Sequence, residues 1–153
     1  MKAKMENKES RKLFLIDIEN AIGNGRVNEE SCQKVKSRIE AEYEPSNSDL
    51  TVIGVSHSAN VFPAASWSGA RVVCQNGHDG ADLALERVLS NEGVEGRFGE
   101  VVIVSGDGLF GKQAARLRSL GVKVTVDSHA RRLSRFLALN CSRVRFAPEL
   151  PAA

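Results

Sequence analysis

Three aspartates stand where apolar segments of this sequence meet polar ones. Asp17 ends the run "LFLID", Asp107 closely follows the run "EVVIV", and Asp82 lies in the first turn of the helical pattern "DGADLALERVL". Carboxylates are costly to bury without a partner, and carboxylates brought together repel one another unless a cation neutralises them. Oxygen donors of this kind suit Mg²⁺ or Mn²⁺ and not Zn²⁺. The three side chains therefore predict a site for a divalent cation.

Each of these acids also has an ordinary structural explanation. The stretch from Asp17 to Asn20 can form an Asx turn that leaves a strand. The helix dipole favours an acid at Asp82, and Asp79 can cap the same helix. The combination favours a site, because the carboxyl ends of parallel strands share the sheet edge where open α/β folds hold their sites. Asn20 can orient a carboxylate, a water or a phosphate oxygen there.

The segment "SGDGLFGKQ", residues 105–113, has three interpretations. The first is a dinucleotide fingerprint, G-x-G-x-x-G, which follows a strand-like run and precedes Asp127 by about one βαβ unit. Its glycines are Gly106, Gly108 and Gly111. This interpretation is disfavoured because Asp107 would repel a pyrophosphate. Too little chain also remains for the second half of a dinucleotide-binding domain.

The second interpretation is a phosphate loop, G-x-x-x-x-G-K, which ends at Lys112. Gln113 stands where that motif needs a Ser or Thr hydroxyl for Mg²⁺, and Asp107 would again lie in the phosphate cradle. The third is a tight strand-to-helix turn whose glycines present Asp107, with Lys112 near enough to meet a substrate phosphate. The sequence favours this acidic metal corner.

The elements that position these residues alternate between strands and helices. Short, β-branched and nearly continuously apolar runs predict five parallel strands buried on both faces, over residues 12–17, 49–55, 70–74, 100–105 and 122–127. Apolar stripes predict helices behind Asn28, over 81–89, over 110–117 and behind Ser128, with one or two turns interrupted by Pro63. The alternation predicts an α/β protein, a three-layer α/β/α sandwich around a parallel sheet.

Length and composition limit the class of protein. The 153 residues suit one domain, which we predict over residues 12–147, with a flexible segment at 1–11 and a loose tail at 148–153. Three cysteines without a C-x-x-C pair argue against a disulfide framework or a zinc site. The amino terminus lacks the apolar core of a signal peptide, and no apolar run is long enough to cross a membrane. The sequence predicts a soluble, cytoplasmic protein with no membrane partner.

The net charge of +2 hides a polarity along the chain. Residues 1–110 carry 12 Lys and Arg against 17 Asp and Glu, whereas residues 111–153 carry 9 against 2. Basic residues gathered toward one end can bind a polyanion, although a single arginine more often belongs to a solvated helix face. The cluster includes Arg116, Arg118, Arg131, Arg132, Arg135, Arg143 and Arg145.

Three segments in order resemble the NYN domain family, a branch of the PIN-like nucleases: "LFLIDIENAIG", "DGADLAL" and "VVIVSGDGLFGKQAARLRSLGVKVTV". The family pattern has Asp-x-x-Asn ending the first strand, Lys-Gly-x-Asp opening a middle helix, and Ser-Gly-Asp-x-Asp-Phe ending the fourth strand. The resemblance spans most of the chain. It implies a Rossmann-like, PIN-type parallel sheet of about five strands in the order 3-2-1-4-5, and metal-dependent RNA cleavage. In that order Asp17 lies beside Asp107.

Matched residue by residue, the resemblance implies a catalytic set of Asp17, Asn20, Asp82 and Asp107. The three aspartates would hold Mg²⁺ or Mn²⁺, and the asparagine would orient a ligand or the attacking water. Two positions depart from the family pattern. Leu109 replaces the second Asp of the third segment, and Asp79 stands where the family usually has Lys. Three carboxylates favour a single cation, or weak cation binding that the substrate's phosphate completes, and Asp79 is a candidate to replace part of the missing charge.

RNA is the expected partner, and the candidate substrate contacts are Ser105, Lys112, Arg116, Arg131 and Arg132. The resemblance also implies that Ser105 is a supporting hydroxyl for the catalytic set. His57 and His129 follow strands and are candidates for proton transfer, although a lone loop histidine is more often a bystander. Trp67 is the candidate for base stacking, with core packing as its alternative. Two other functions stay open: a binding module for nucleic acid or protein in which Leu109 has removed turnover, and a Mg²⁺-dependent phosphotransfer enzyme. The oligomeric state, including a homodimer, also stays open.

Overall fold

A six-stranded parallel sheet forms the centre of the computed structural model, which describes residues 7–23 and 26–148. Its strands are β1 (Lys12–Asp17), β2 (Leu50–Val55), β3 (Arg71–Cys74), β4 (Glu100–Val104), β5 (Lys123–Ser128) and β6 (Arg143–Phe146). The order is β3-β2-β1-β4-β5-β6, and every neighbouring pair is parallel. The five predicted strands and their order are confirmed, and β1 and β4 are neighbours at the centre.

Helices cover both faces of this sheet. They are α1 (Ile18–Ile22), α2 (Glu29–Tyr43), α3 (Val61–Ala65), α4 (Gly80–Asn91), α5 (Val94–Arg97), α6 (Gly111–Ser119) and α7 (Arg135–Asn140). Side chains alternate along β1, so Leu13 and Leu15 pack with α4 to α7, whereas Phe14 and Ile16 pack with α1 to α3. The three-layer α/β/α architecture is therefore confirmed.

The sixth strand is the element that the sequence analysis missed. In "RVRF" basic and apolar residues alternate, as in a half-buried edge strand, and this pattern differs from the continuous apolar runs of the other five. Two arginines of the basic cluster that was predicted to bind a polyanion lie in this strand. Arg143 approaches Glu100, and Arg145 pairs with Glu42 and lies over the ring of Tyr43. Both therefore help to hold the edge strand.

The helix boundaries follow local capping signals. Asn28 caps α2 as predicted, since its side chain accepts a hydrogen bond from Ser31 N at 2.8 Å. The helix predicted behind Ser128 begins only at Arg135, because a turn of 3-10 helix over Ala130–Arg132 comes first and Ser134 provides the cap. Pro63 lies inside the short helix α3 and does not interrupt it, because a first turn needs no N–H from proline.

One strand-end aspartate is fully paired inside the fold. Asp127, the acid of the dinucleotide interpretation, accepts hydrogen bonds from both terminal nitrogens of Arg38 and from Tyr43 Oη at 2.6 Å. Burial and this contact with Asp127 raise the pKa of Tyr43, so the phenol keeps its proton and donates it. Asp127 ties β5 to α2 and offers no free carboxylate to a ribose.

The chain ends are only partly described. Of the predicted segment 1–11, Lys8–Ser10 form a turn of 3-10 helix, and Lys8 Nζ donates to the carbonyl oxygen of Glu95 at 2.7 Å. Residues 1–6 and 149–153, on which most of the predicted loose ends fall, lie outside the described residues. Within the described ranges, no helix combines the length and the apolar character that crossing a membrane requires.

Candidate metal centre

An acidic pocket of about 340 Å³ opens at the carboxyl edge of the sheet, where β1, β4 and the start of α4 meet. Its lining includes Asp17, Glu19, Asn20, Asp79, Asp82, Asp107 and Arg132. The structure thus brings together all four residues of the predicted catalytic set. The topology explains this meeting, because β1 and β4 are adjacent parallel strands whose carboxyl ends lie side by side.

Two glycines allow α4 to approach the sheet closely enough for Asp82 to reach β1. A Cβ atom on Gly54 of β2 would lie 2.6 Å from Leu85 Cγ and 2.9 Å from the carbonyl oxygen of Ala81. A Cβ on Gly80 would collide with the carbonyl oxygen of Gln75. The first turn of α4 is therefore pressed against the sheet, and its third residue, Asp82, is 95% buried.

Ser105 links Asp17 and Asp107 through hydrogen bonds. Its hydroxyl donates to Asp17 Oδ2 at 3.0 Å and accepts from the backbone N–H of Asp107 at 3.2 Å. Only 1% of Ser105 is exposed. Ser105 therefore occupies the predicted position of a supporting hydroxyl, and its burial contradicts the prediction that it contacts substrate.

Asn20 joins the same corner from the first turn of α1. Its backbone N–H donates to Asp17 Oδ1 at 3.4 Å, so Asp17 caps α1. The side-chain oxygen of Asn20 accepts from the backbone N–H of Gly106 at 3.4 Å. The Asx-type turn considered from the sequence is therefore real, and it coexists with a place in the pocket lining.

Asp82 is the residue whose surroundings most clearly suit a bound cation. Its Oδ1 atom is buried, and no donor within residues 7–23 and 26–148 hydrogen-bonds to it. Buried polar atoms are almost always paired, so an orphan of this kind in a native pocket calls for a bound group. Carboxylate oxygens of Asp79, Asp82 and Asp107 lie within 4.8 Å of one another. An all-oxygen donor set this compact fits Mg²⁺ or Mn²⁺.

The protonation of the pocket reflects the same crowding. Burial, and then contact with Asp17 and Asp107, raise the pKa of Asp82 to about 10 from an ordinary value of 3.8. Burial also raises the pKa of Asp17, although hydrogen bonds from Asp82, Ser105 and Asn20 oppose the rise. Without a cation the pair holds a proton near neutral pH, and a bound cation would displace it.

The glycines of "SGDGLFGKQ" make room for the segment that follows β5. A Cβ on Gly106 would collide with the carbonyl oxygen of Arg132, one on Gly108 would lie 2.9 Å from Ser134 Oγ, and one on Gly111 would collide with the ring of Phe136. None of the three has a positive φ angle. The predicted strand-to-helix turn is present, since a turn of 3-10 helix over Gly108–Phe110 leads from β4 into α6 and Asp107 before it lines the pocket. Its glycines serve close packing and not a left-handed backbone. This packing clamps a basic loop, residues 129–134, against the acidic pocket.

We expect Gly106→Ala to destabilise the protein by about 2 kcal/mol, because the new methyl group must displace the clamped loop. Urea unfolding of the purified variant measures the change. Gly96→Ala is the matched control, since nothing lies within 4 Å of a Cβ at Gly96 and its φ angle is not positive. Equal stability of the two variants would contradict the role of Gly106 in the clamp.

The predicted basic contacts divide into three placements. Arg132 lines the pocket and Arg131 is exposed beside it on the same loop. Lys112 is exposed at the start of α6 and does not line the pocket. Arg116 points elsewhere: its guanidinium donates to the carbonyl oxygen of Leu89 at 2.7 Å and to Gln113. The structure therefore brings Arg132 to the carboxylates and leaves Arg116 as a brace between helices.

Leu109, the main departure from the family pattern, does not line the pocket. Its side chain is 41% exposed, and its backbone N–H donates to Asp107 Oδ1 at 2.9 Å. The leucine side chain therefore supplies no donor to the site, while its backbone helps to orient Asp107.

Glu19 is a pocket residue that the sequence analysis missed. Its carboxylate accepts from the backbone N–H and the hydroxyl of Ser56 and from Asn60 Nδ2, each with a distance below 3 Å to one of its oxygens. These bonds fasten α1 to the loop after β2. The signal in the sequence was its spacing, since "IDIEN" puts Glu19 on the same short turn as Asp17 and Asn20.

The residues predicted for proton transfer and base stacking do not line the acidic pocket. His129 is buried, and its ring nitrogens lie 3.1 Å from the carbonyl oxygens of Ala21 and Pro148, so it is held as a structural bridge. His57 is exposed before a turn of 3-10 helix and does not line the pocket. Trp67 is 95% buried in the core, which confirms the core-packing alternative.

Comparison with known proteins identifies a shared fold. No protein-family model matches the chain, and no curated protein matches it. Among solved structures it is similar to a protein of unknown function, VPA0982 from Vibrio parahaemolyticus, with a TM-score of 0.60. The two chains share a fold. They are 15% identical, and the match covers 94% of this chain and 96% of the other. At this identity the likeness supports the α/β architecture alone.

Proposed function

We propose that the protein is a divalent-metal-dependent ribonuclease that hydrolyses RNA phosphodiester bonds at the acidic pocket. The observation that carries this proposal is the buried, unpaired Oδ1 of Asp82 beside further carboxylates. A pocket built this way is unfavourable for the protein alone and favourable for a protein with a cation. The resemblance of three segments to the NYN family supports RNA as the substrate.

Asp17, Asp82 and Asp107 would hold the cation, which is Mg²⁺ or Mn²⁺ by the chemistry of the donors. When bound, such an ion supplies Lewis-acid stabilisation of the charge that develops on the phosphate oxygens. Ser105 keeps Asp17 and Asp107 at a fixed separation through its two hydrogen bonds. Asn20 lies against the same corner and orients a ligand or a water there.

The basic loop gives the pocket a means to attract RNA. Arg131 and Arg132 lie on it, and the latter reaches the pocket wall. Guanidinium groups bind phosphate oxygens in paired hydrogen bonds, and their charge contributes to affinity for any polyanion. Because the loop is clamped to the β4 turn through Gly106, Arg132 stays in the lining of the acidic pocket. Acidic and basic groups therefore face the same substrate.

Cleavage of end-labelled RNA tests the function directly. We expect the pure protein to cut single-stranded or structured RNA in Mg²⁺ or Mn²⁺, to stop in EDTA, and to resume when the metal is restored in excess. Cleavage that continues unchanged in EDTA would contradict the proposal, as would a complete absence of cleavage in either metal. A mock purification from cells that lack the protein controls for contaminating nucleases.

Leu109 favours a second candidate, a module that binds nucleic acid or a protein and does not turn over. Its place outside the pocket leaves the site one carboxylate short of the family pattern. RNA binding measured with and without chelator separates the two functions. A binding module retains full affinity in EDTA and shows no cleavage in metal, whereas a nuclease cleaves only in metal.

A further inference from the structure

We propose that Asp79 is a further metal ligand, which supplies from the start of α4 the carboxylate that Leu109 does not. This inference rests on the metal site of the proposed function and extends it to a residue outside the expected set. The relevant observations are the position of the Asp79 carboxylate, its backbone conformation and the unpaired oxygen of Asp82.

The carboxylate of Asp79 lies in the pocket with those of Asp82 and Asp107. One oxygen from each of the three falls within 4.8 Å of the others, a spacing that lets all three contact one ion. Three acids this close repel one another, and a helix terminus alone does not require more than one of them. The geometry is therefore that of a site for a cation.

The unpaired oxygen of Asp82 is the independent sign that a ligand belongs among these acids. Asp82 is 95% buried and lines the pocket, and its Oδ1 finds no donor among the described residues. An ion held between Asp79, Asp82 and Asp107 would complete the coordination of that oxygen.

The backbone of Asp79 shows that its side chain is not there to cap α4. Asp79 occupies the position before the helix, yet it has φ 59° and ψ 15°, and its side chain accepts no capping hydrogen bond. An aspartate that caps a helix ordinarily has an extended backbone and accepts from the first-turn N–H groups. Asp79 therefore holds the predicted N-cap position without using its side chain as a cap, and its carboxylate lines the pocket instead.

The same backbone is held in place by its neighbours. Gly80 N donates to the carbonyl oxygen of Gly77 at 3.0 Å, and Leu83 N donates to the carbonyl oxygen of Asp79 at 2.9 Å. Close packing of Gly80 on Gln75 leaves no room for a shift toward the sheet. His78 Nε2 is an ionic neighbour of the carboxylate, 3.5 Å away on a ring that is 97% exposed. That contact is weak, because exposed pairs are screened by water.

Calorimetric titration of Mn²⁺ into Asp79→Asn tests the proposal without RNA or turnover. Asparagine tolerates the left-handed backbone and keeps the shape of the side chain, so the variant is expected to fold. We expect its affinity for Mn²⁺ to fall roughly 10- to 100-fold, as befits the loss of a group that holds or orients a metal. Equilibrium unfolding confirms that the variant is native.

Two controls separate a ligand from a mere charge. Glu44→Gln removes one charge from the other described non-glycine residue with a positive φ angle, at the end of α2, and should bind Mn²⁺ like the wild type. Glu19→Gln removes one charge from the pocket itself, where that carboxylate is already occupied by Ser56 and Asn60. We expect the affinity of Glu19→Gln for Mn²⁺ to fall about threefold or less, as for the loss of a screened charge.

The outcomes distinguish the ligand role from the wider function. If the affinity of Asp79→Asn for Mn²⁺ is at least tenfold lower than that of Glu19→Gln, the result supports Asp79 as a ligand. Equal losses in the two variants, or wild-type affinity in Asp79→Asn while Asp82→Asn no longer binds, would overturn the role of Asp79 and leave the proposed function standing. If the wild type itself binds no Mn²⁺, both the ligand and the metal-dependent function are refuted.

Discussion

Asp17→Asn is expected to reduce metal-dependent RNA cleavage by about 10³-fold, because it removes a negative ligand whose cation is worth several kcal/mol of charge stabilisation. The fold should survive. Asparagine keeps an oxygen for the N–H of Asn20, its amide can donate to Ser105 Oγ, and asparagine caps helices as well as aspartate does. RNA binding should persist, since the arginines proposed to contact the RNA backbone are untouched. Initial rates of cleavage and a filter-binding isotherm measure the two effects.

Asp49→Asn is the matched control for that substitution. Asp49 also accepts two backbone hydrogen bonds, from Lys12 and from Ser46, but it lies at the opposite edge of the sheet just before β2. Its replacement should leave the cleavage rate unchanged within about twofold, as expected for an ordinary surface change. If Asp49→Asn loses as much activity as Asp17→Asn, or if Asp17→Asn remains fully active, the acidic pocket is not the active site.

Asp82→Asn should stabilise the metal-free protein and remove its response to metal. In EDTA at pH 7 we expect the free energy of unfolding to rise by roughly 1 to 2 kcal/mol, because a crowded buried acid is replaced by a neutral amide that can donate to its neighbours. Excess Mn²⁺ should stabilise the wild type by mass action and leave the variant unchanged. Urea unfolding in EDTA and in Mn²⁺ measures both effects.

The pH dependence of the unfolding free energy of the same variant tests the direction of the pKa shift of Asp82. The folded-state pKa of Asp82 is raised above 3.8, so the folded protein binds this proton more tightly than the unfolded chain does. The contribution of this group to the free energy of unfolding is therefore fully present below about pH 4 and declines as the pH rises toward the folded-state pKa of about 10. The decline should be smaller in Asp82→Asn. A variant that is less stable than the wild type in EDTA at pH 8 would contradict the crowding of Asp82.

The fold could be predicted from the sequence because its strands are buried on both faces. Continuous apolar runs such as those of β1 and β4 leave few alternatives to a central parallel sheet, and the edge strand β6 escaped because its arginines interrupt the pattern. Helix starts that depend on a loop packed elsewhere were also misplaced. The start of α7 is an example, since the segment before it packs on Gly106 and Gly108.

The site was predictable as far as topology dictates it. Asp17 and Asp107 end neighbouring strands, so a parallel sheet had to bring them together. The direction in which a side chain points depends on tertiary contacts that the sequence does not show. Nothing local shows that Arg116 turns toward Leu89, that Ser105 lies beneath the carboxylates, or that Asp79 leaves the cap for the pocket. These placements depend on contacts between segments far apart in the chain.

Anomalous scattering from a crystal grown with Mn²⁺ measures most directly whether the carboxylate pocket binds a divalent cation. We predict a peak about 2.1 Å from Asp82 Oδ1, the distance at which a hard divalent ion meets carboxylate oxygen, with Asp107 among its other ligands. Asp82→Asn crystals grown in the same way should lack that peak. A wild-type crystal with no manganese in the pocket, and with Oδ1 hydrogen-bonded to a protein donor, would contradict the proposed metal-dependent function.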